Sequence, residues 1–485
     1  MAASFLFYDL ETSGVSPKSA RVMQFAAQRT DMNLEPIGEP YNFLIKLTPD
    51  TLPDPEAILV TGITPQQTIT DGYSEAEFLR IFHDQVAIPG TVFVGFNSIR
   101  FDDEFMRYLH YRNFHDPYEW SWRDDRSRWD MLDVVRMMRA LRPEGIQWPF
   151  ASDGSPTNRL ELLAELNGIK HEQAHDALSD VQATIGLARL IRDSQPKLFS
   201  YLLTLRDKKA VAKVLQSDQP FVYTSGRYDS SYEKTTAAAV LADVPDQAQA
   251  KLVYDLRYNP ADYVPLSVDK VIEQWQLPQK ERSLHIPVKL MRLNRCPAIA
   301  PLSVLNESSQ ERLQLDTEVI KKHQTDLNKH QQKLAQLFRE AHVGLQKQRQ
   351  QQFISSDSDV DGAMYDAFLG DADRRQLPSV REAPPEKLDV SEFKFSDDRL
   401  VQLLPLYKAR NYPDSLSPDE AQQWEAFRTR KLLGDSSDTS GELHQFAQRL
   451  QSVASRPEVM EDSQKQYLLQ ELQLYAESIA PIPEA

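Results

Sequence analysis

Two apolar strands and one apolar-faced helix in the first 180 residues each carry carboxylates near one end, and this limits the possible folds more than any other feature. Phe5-Leu6-Phe7-Tyr8 leads to Asp9 and Glu11. Thr91-Val92-Phe93-Val94-Gly95-Phe96 leads through Asn97-Ser98-Ile99-Arg100-Phe101 to Asp102. His175-Asp176 opens a helical pattern that contains Asp180. Short β-branched and aromatic runs read as strands. Ala177–Arg192, with Val181, Ile185 and Ala188 recurring on one face, reads as a helix. Such alternation predicts an α/β layer fold with a mixed sheet over residues 1–196.

The texture then changes. Phe221-Val222-Tyr223-Thr224, Lys251-Leu252-Val253-Tyr254 and Ile286-Pro287-Val288-Lys289-Leu290 read as short strands of a small barrel with appended helices, residues 197–350. A long helix from Val319 to about Gln352 should bury Leu327, Leu334, Leu337 and Phe338, and its Gln-rich end reads as a solvated terminus. Ser355-Ser356-Asp357-Ser358-Asp359 is the expected linker to a helical part, residues 353–485. There Ser417-Pro418-Asp419-Glu420 reads as a helix start and Gly434 as a stop.

Composition narrows the class. The 485 residues suffice for about two to four domains. Cys296 is the only cysteine, so an intrachain disulfide and a cysteine zinc site are both excluded. The N-terminal sequence has no basic region ahead of its apolar run, which ends at an acid; neither a signal peptide nor a membrane span is expected, and the cytoplasm is the default location. A net charge of −16 argues against a protein that coats nucleic acid through a basic surface. It leaves open an enzyme that holds a phosphate chain in one local groove.

Asp9 and Glu11, two apart on a strand, share a face. Alone, such a pair could face solvent. Asn97 or Asp102 could equally cap the following helix, and a histidine ahead of a helix is commonly a surface group. Asp180, however, would sit inside an apolar-faced helix, where an unpaired carboxylate is costly. Together the groups form an oxygen-rich site suited to hard cations such as Mg²⁺ or Mn²⁺. Two such ions about 4 Å apart can activate water and stabilise the departing oxygen in phosphodiester cleavage. A histidine with an ordinary pKa near 6.5 suits proton removal from that water.

The ordered set Asp9-x-Glu11, Asn97-x-x-x-Phe101-Asp102 and His175-x-x-x-x-Asp180 resembles the DEDDh exonuclease superfamily and, within it, the bacterial exonuclease I family. Further blocks carry the likeness, among them Thr61-Gly62-Ile63-Thr64-Pro65-Gln66, Tyr111-Arg112-Asn113-Phe114, Ser127-Arg128-Trp129-Asp130, Pro287-Val288-Lys289-Leu290 and Ala409-Arg410-Asn411-Tyr412-Pro413. The resemblance covers nearly the whole chain and is weakest over 225–250 and 258–285. It implies a ribonuclease-H-like exonuclease domain, an SH3-like β-barrel domain and an α-helical C-terminal domain. It further implies a magnesium-dependent 3′→5′ exodeoxyribonuclease acting in DNA repair, with Asp9, Glu11, Asp102 and Asp180 on two metal ions and His175 as general base. A 3′→5′ exoribonuclease of the same superfamily and a non-catalytic single-strand-binding adaptor are the alternatives.

Nine aromatics lie between Phe101 and Trp129, and nine arginines with no lysine between Arg100 and Arg142; nine acids share the latter stretch. Rings and guanidinium groups suit a single-strand channel, while core packing and ion pairing are the competing reading. If Tyr118, Trp120 and Trp122 lie on a strand, they share one face. By resemblance, Arg107, Tyr118, Trp122, Arg136 and Arg159 are the candidate strand contacts, with Glu11 and His175 also touching substrate; the alternative for Arg159 is a surface salt bridge. The resemblance also implies a monomer that meets the single-stranded-DNA-binding protein through that partner's acidic C-terminal tail. Tyr201 and Arg312 are the candidate wall and carboxylate anchor; the alternative has Tyr201 packing a domain junction and Arg312 pairing with Glu311.

Overall fold

A computed structural model describes residues 3–171, 176–216, 219–354, 359–434 and 441–481. The chain packs as two compact units. One holds Met1–Arg126, Glu172–Gln182 and Ser358–Ala485, the other Ser127–His171 and Ala183–Asp357.

In the first unit, strands β1 (Ser4–Thr12), β2 (Val22–Thr30), β3 (Tyr41–Leu44) and β4 (Thr91–Gly95) lie in the order β3-β2-β1-β4. β1 runs antiparallel to β2 and parallel to β4, so the sheet is mixed, as expected. β1 and β2 are buried almost throughout, including the polar Gln24, Gln28 and Arg29 of β2. Leu6, Tyr8 and Leu10 enter one core with Phe25, Phe78, Phe82, Phe93, Phe105 and Trp120. Side chains alternate along a strand, which sends Asp9 and Glu11 to the opposite face. The Thr61–Gln66 block is a helix-to-helix turn. Gly62 (φ 69°) closes the helix Pro55–Thr61 in the left-handed conformation, and Thr64 with Gln67 forms the capping box of the next helix.

The C-terminal helices share cores with this sheet unit. Tyr108, Tyr111 and Phe114 pack with Leu377, Leu400, Leu403, Leu404 and Tyr407. A buried ionic cluster adds to this. Arg410 donates to Asp361 (2.8 and 2.7 Å) and Asp50 (2.7 Å), and Arg21 donates to Asp361 (2.6 Å). The helix Pro418–Leu433 starts at Ser417 with a capping box to Glu420 and ends at Gly434 (φ 78°), as its sequence requires. The expected linker, residues 355–359, lies outside the described residues except for Asp359.

The second unit begins with β5 (Ser127–Asp130), whose last residue caps the helix Met131–Leu141. It continues to β6 (Phe221–Thr224), β7 (Thr235–Asp243), β8 (Ala250–Asp255), β9 (Val288–Arg292) and β10 (Ala298–Pro301), an antiparallel sheet ordered β10-β6-β7-β8-β9. β7 and β10 were not foreseen from sequence; β7 falls where turn residues and alanines obscure the strand pattern. The helix Thr317–Ile354 buries Leu327, Leu334, Leu337 and Phe338 as predicted. No helix among the described residues is long and apolar enough to cross a membrane.

Candidate active site

The pairing of β1 with β4 ends at Phe7–Val94, so Asp9 and Glu11 project beyond it, at the carboxyl end of β4. β4 stops at Gly95, where an added Cβ would lie 2.5 Å from Ser98 Cβ and 3.2 Å from the Tyr8 carbonyl. Asn97 follows in the left-handed conformation (φ 68°) and makes no side-chain cap, contrary to one reading of its sequence context. This tight turn delivers Asp102, the first residue of the helix Asp102–Arg112, to the carboxyl end of the sheet; that helix also lacks a side-chain cap. Asp180 lies one turn into the helix Ala177–Ser194, whose first turn is held by Asp176 accepting from the Ser179 amide (3.1 Å).

Ligand oxygens of Asp9, Glu11 and Asp180 lie within 4.8 Å of one another. Asp102, 4% exposed, lies outside that set but is the strongest charged neighbour of Asp9. Burial, then Asp102, Asp180 and Asp176, push the Asp9 carboxyl well above the usual range. Burial, then Asp9, Asp180 and Asp176, push Glu11 up to about 9. A donor set of oxygens only, crowded so that its like charges repel, fits a hard divalent cation, which reverses the local sign of charge. His175 lies outside the described residues.

Three residues at this site were not anticipated. Asp176 adds its field to the cluster, although it stood in the His175-Asp176 sequence. Tyr8 and Asp103, the neighbours of Asp9 and Asp102, form a buried hydrogen bond of 2.6 Å between β1 and the start of the helix Asp102–Arg112. That bond ties together the two backbone segments that carry Asp9 and Asp102.

The candidate strand contacts fall into different environments. Trp122 is 60% exposed, whereas Trp120 is 1% exposed and packs in the core. The two do not share a face, because Glu119–Ser121 is a 3-10 helix rather than a strand. Residues two apart on a three-residue turn diverge. Tyr118 is half-buried beneath the Arg107 guanidinium (5.3 Å), which is itself buried, paired with Glu104 (2.6 Å) and bonded to Tyr365 (3.2 Å). Tyr118, Tyr365, Phe368 and Arg374 line a pocket of about 140 Å³, and Phe368 is 84% exposed. In the second unit, Arg136 pairs with Asp133 (2.7 Å), while exposed Arg159 binds Glu161, the salt bridge that was its alternative reading. Tyr201 lines a groove of about 760 Å³ with Leu205, Lys213, Phe221 and Pro301, and its hydroxyl has no hydrogen-bond partner among the described residues. Arg312 donates to the Ala140 carbonyl (3.2 and 3.1 Å) and the Ser308 hydroxyl (3.4 Å).

Three family descriptions match in succession: Exonuclease over residues 6–188, Exonuclease I SH3-like domain over 206–343 and Exonuclease I C-terminal domain over 358–479. Exodeoxyribonuclease I of Escherichia coli is 38% identical over 484 residues, covering 98% of each chain. The chain belongs to the exonuclease I family. Solved members agree in fold. Exonuclease I from Methylocaldum szegediense is 40% identical with a TM-score of 0.89, and E. coli Exonuclease I in complex with a dA16 oligonucleotide is 38% identical with a TM-score of 0.90. Each comparison covers 99% of this chain and 100% of the other. Other structures of the family hold a zinc ion with single-stranded DNA, or pair SSB with Exonuclease I and an inhibitor.

Proposed function

We propose that this member of the exonuclease I family hydrolyses single-stranded DNA from the 3′ end and releases nucleoside 5′-monophosphates. The observation that carries this is the cluster of Asp9, Glu11 and Asp180, with Asp102 beside Asp9, at the carboxyl end of the strands in an exonuclease fold. Three segments bear the activity: 1–196 for chemistry, 197–350 and 353–485 for holding the strand. Divalent ions, Mg²⁺ with Mn²⁺ as substitute, would supply water activation and charge compensation at the leaving oxygen. Asp9, Glu11, Asp102 and Asp180 would hold these ions, and Glu11 would border the terminal nucleotide. His175 accepts the proton of the attacking water. The relatives' names favour DNA over the exoribonuclease alternative, and four intact carboxylates with His175 speak against an adaptor. Matched DNA and RNA strands labelled at the 3′ end test this: prompt mononucleotide release from DNA is expected, and release from the 5′ end would refute it.

Metal binding should be linked to protons. With Glu11 titrating near 9, the metal-free site is protonated at neutral pH, and an ion must displace those protons. Affinity for Mg²⁺ should therefore rise with pH toward about 9. The sign for stability is opposite: a carboxyl with a raised folded pKa binds more protons folded than unfolded. The metal-free protein thus loses stability as pH rises from about 4.5 to 9. Calorimetry in buffers of differing ionisation enthalpy measures the released protons, and a pH-independent affinity would contradict the linkage.

Arg107, Tyr118, Trp122, Arg136 and Arg159 are proposed to contact the strand, Trp122 by open stacking and Arg159 by exchanging Glu161 for a phosphate. Trp122→Ala should weaken strand binding by about 1–3 kcal/mol with little change in melting. Tyr118→Ala should lower melting as well, since it also removes the ring under Arg107. Equal melting losses in both would make Trp122 structural.

The groove at Tyr201 is proposed to receive the acidic tail of the single-stranded-DNA-binding protein, with Arg312 as anchor. A tail peptide should bind the monomeric enzyme in a salt-sensitive way, and Arg312→Ala should weaken it while sparing hydrolysis of naked DNA. Unchanged peptide affinity in Arg312→Ala would remove that residue from the site.

A further inference from the structure

The ladder between β1 and β4 ends at Phe7–Val94, before either strand reaches its part of the carboxylate cluster. Asp9 lies beyond that pair on β1, and Asp102 lies beyond the turn that follows β4. The helix Asp102–Arg112 has no side-chain cap to fix its first turn. Neither strand pairing nor a local cap therefore sets the separation of the Asp9 and Asp102 carboxylates.

Two contacts bring the segments together beside the cluster. In the first, Gly95 approaches the Tyr8 carbonyl so closely that an added Cβ would lie 3.2 Å from it. In the second, the Tyr8 hydroxyl donates to Asp103 Oδ1 at 2.6 Å. Tyr8 precedes Asp9 on a strand, so the two side chains leave opposite faces. Asp103 follows Asp102 in a helix and is turned about 100° from it. The Tyr8–Asp103 bond thus holds the same two backbone segments as the Asp9–Asp102 pair, from the other side.

Packing does not require this bond. The Tyr8 ring is enclosed by Phe25 (6.1 Å), Phe93 (6.1 Å) and Trp120 (6.4 Å), a space that phenylalanine would fill equally. Asp103 is 1% exposed, and burying a carboxylate is costly. A short hydroxyl-to-carboxylate bond is strong and directional. Among rings, such a polar pair specifies one arrangement where an apolar pair would only fill space.

We propose that Tyr8 and Asp103 are positioning residues, which fix the separation of the Asp9 and Asp102 carboxylates and thereby the affinity of the site for divalent ions. Both act through their chain neighbours rather than as ligands. This role rests on the metal-dependent reading of the site proposed above.

Mg²⁺ binding to the full-length protein, measured by calorimetry, tests the role without requiring turnover. Tyr8→Phe removes one oxygen and no charge. It should weaken Mg²⁺ binding by roughly tenfold at a temperature where circular dichroism shows the variant folded. It should also lower kcat for nucleotide release while leaving KM for the strand unchanged, because other residues are proposed to contact the strand. Asp103→Ala also withdraws a charge from the field of Arg107, so it is read only through the double variant. Once Asp103→Ala has removed the acceptor, Tyr8→Phe should cause no further loss of Mg²⁺ affinity. If Asp103→Ala fails to fold, the Tyr8→Phe affinity and the split between kcat and KM decide alone. A hydroxyl that only stabilised the fold would lower the melting temperature in EDTA and leave Mg²⁺ affinity at the parent value; that result would overturn the proposal. So would an equal loss on Tyr8→Phe with and without Asp103. A parent protein that binds Mg²⁺ but releases no nucleotide would refute the proposed function, while the affinities would still decide the positioning role.

Discussion

Replacing Asp9, Glu11, Asp102 or Asp180 by alanine, one at a time, is expected to remove most of the metal-dependent release of nucleotides. Each change deletes a carboxylate from the set proposed to hold the ions, and catalysis of phosphodiester cleavage by such ions depends on their charge being neutralised and their spacing held. The fold should survive. Burial and mutual repulsion raise Asp9 and Glu11 far above the ordinary carboxylate range, so the metal-free protein is strained by these groups rather than held together by them. The alanine variants should therefore melt no lower than the parent in EDTA, while the rise in melting temperature on adding Mg²⁺ is lost. His175→Ala should behave differently, losing about 10²–10⁴-fold in turnover if it is the general base but keeping the metal-induced rise. Normal turnover in that variant would take histidine out of the mechanism. A carboxylate variant that keeps both turnover and the melting response would disprove the assignment of that residue.

The second large effect is on stability. Arg410→Met should lower the free energy of unfolding by about 3–5 kcal/mol, the usual consequence of deleting one partner from a buried ion cluster. Asp361 is 1% exposed and Asp50 is fully buried, so neither can regain water when the guanidinium is removed. Burial alone would raise both carboxyls, but the charge of Arg410, with Arg21 or Lys431, overcomes it and holds both well below the usual range. Their folded pKa values are depressed. Stability from the cluster is therefore fully present above about pH 4, near the ordinary aspartate pKa, and is lost as pH falls further. Urea titrations at neutral pH and near pH 3 should show the parent losing this contribution on acidification and Arg410→Met having little left to lose. A variant within 1 kcal/mol of the parent at neutral pH would mean that the cluster relaxes around the gap.

The carboxylate cluster of Asp9, Glu11 and Asp180 was legible in the sequence because its geometry is local. Asp9 and Glu11 share a face by the period of a strand, Asp180 sits one turn into a helix, and the order of the three motifs is specific to one superfamily. Helix ends such as Ser417–Glu420 and Gly434 were legible for the same reason: caps are made within a few residues. What only the tertiary structure decided depends on partners far apart in the chain. Nothing near Tyr8 indicates that its hydroxyl meets Asp103, 95 residues away, or that Arg410 reaches Asp50 across 360 residues. The packing of Tyr108 and Phe114 against Leu400 and Tyr407 likewise joins segments that composition reads as separate parts. Trp120 and Trp122 show the same limit at short range. Their spacing fits a strand, but the 3-10 turn of Glu119–Ser121 buries one ring with Phe93 and leaves the other in solvent. Periodicity and capping are properties of consecutive residues, whereas the pairing of buried charges and rings is set by which surfaces meet when the chain closes.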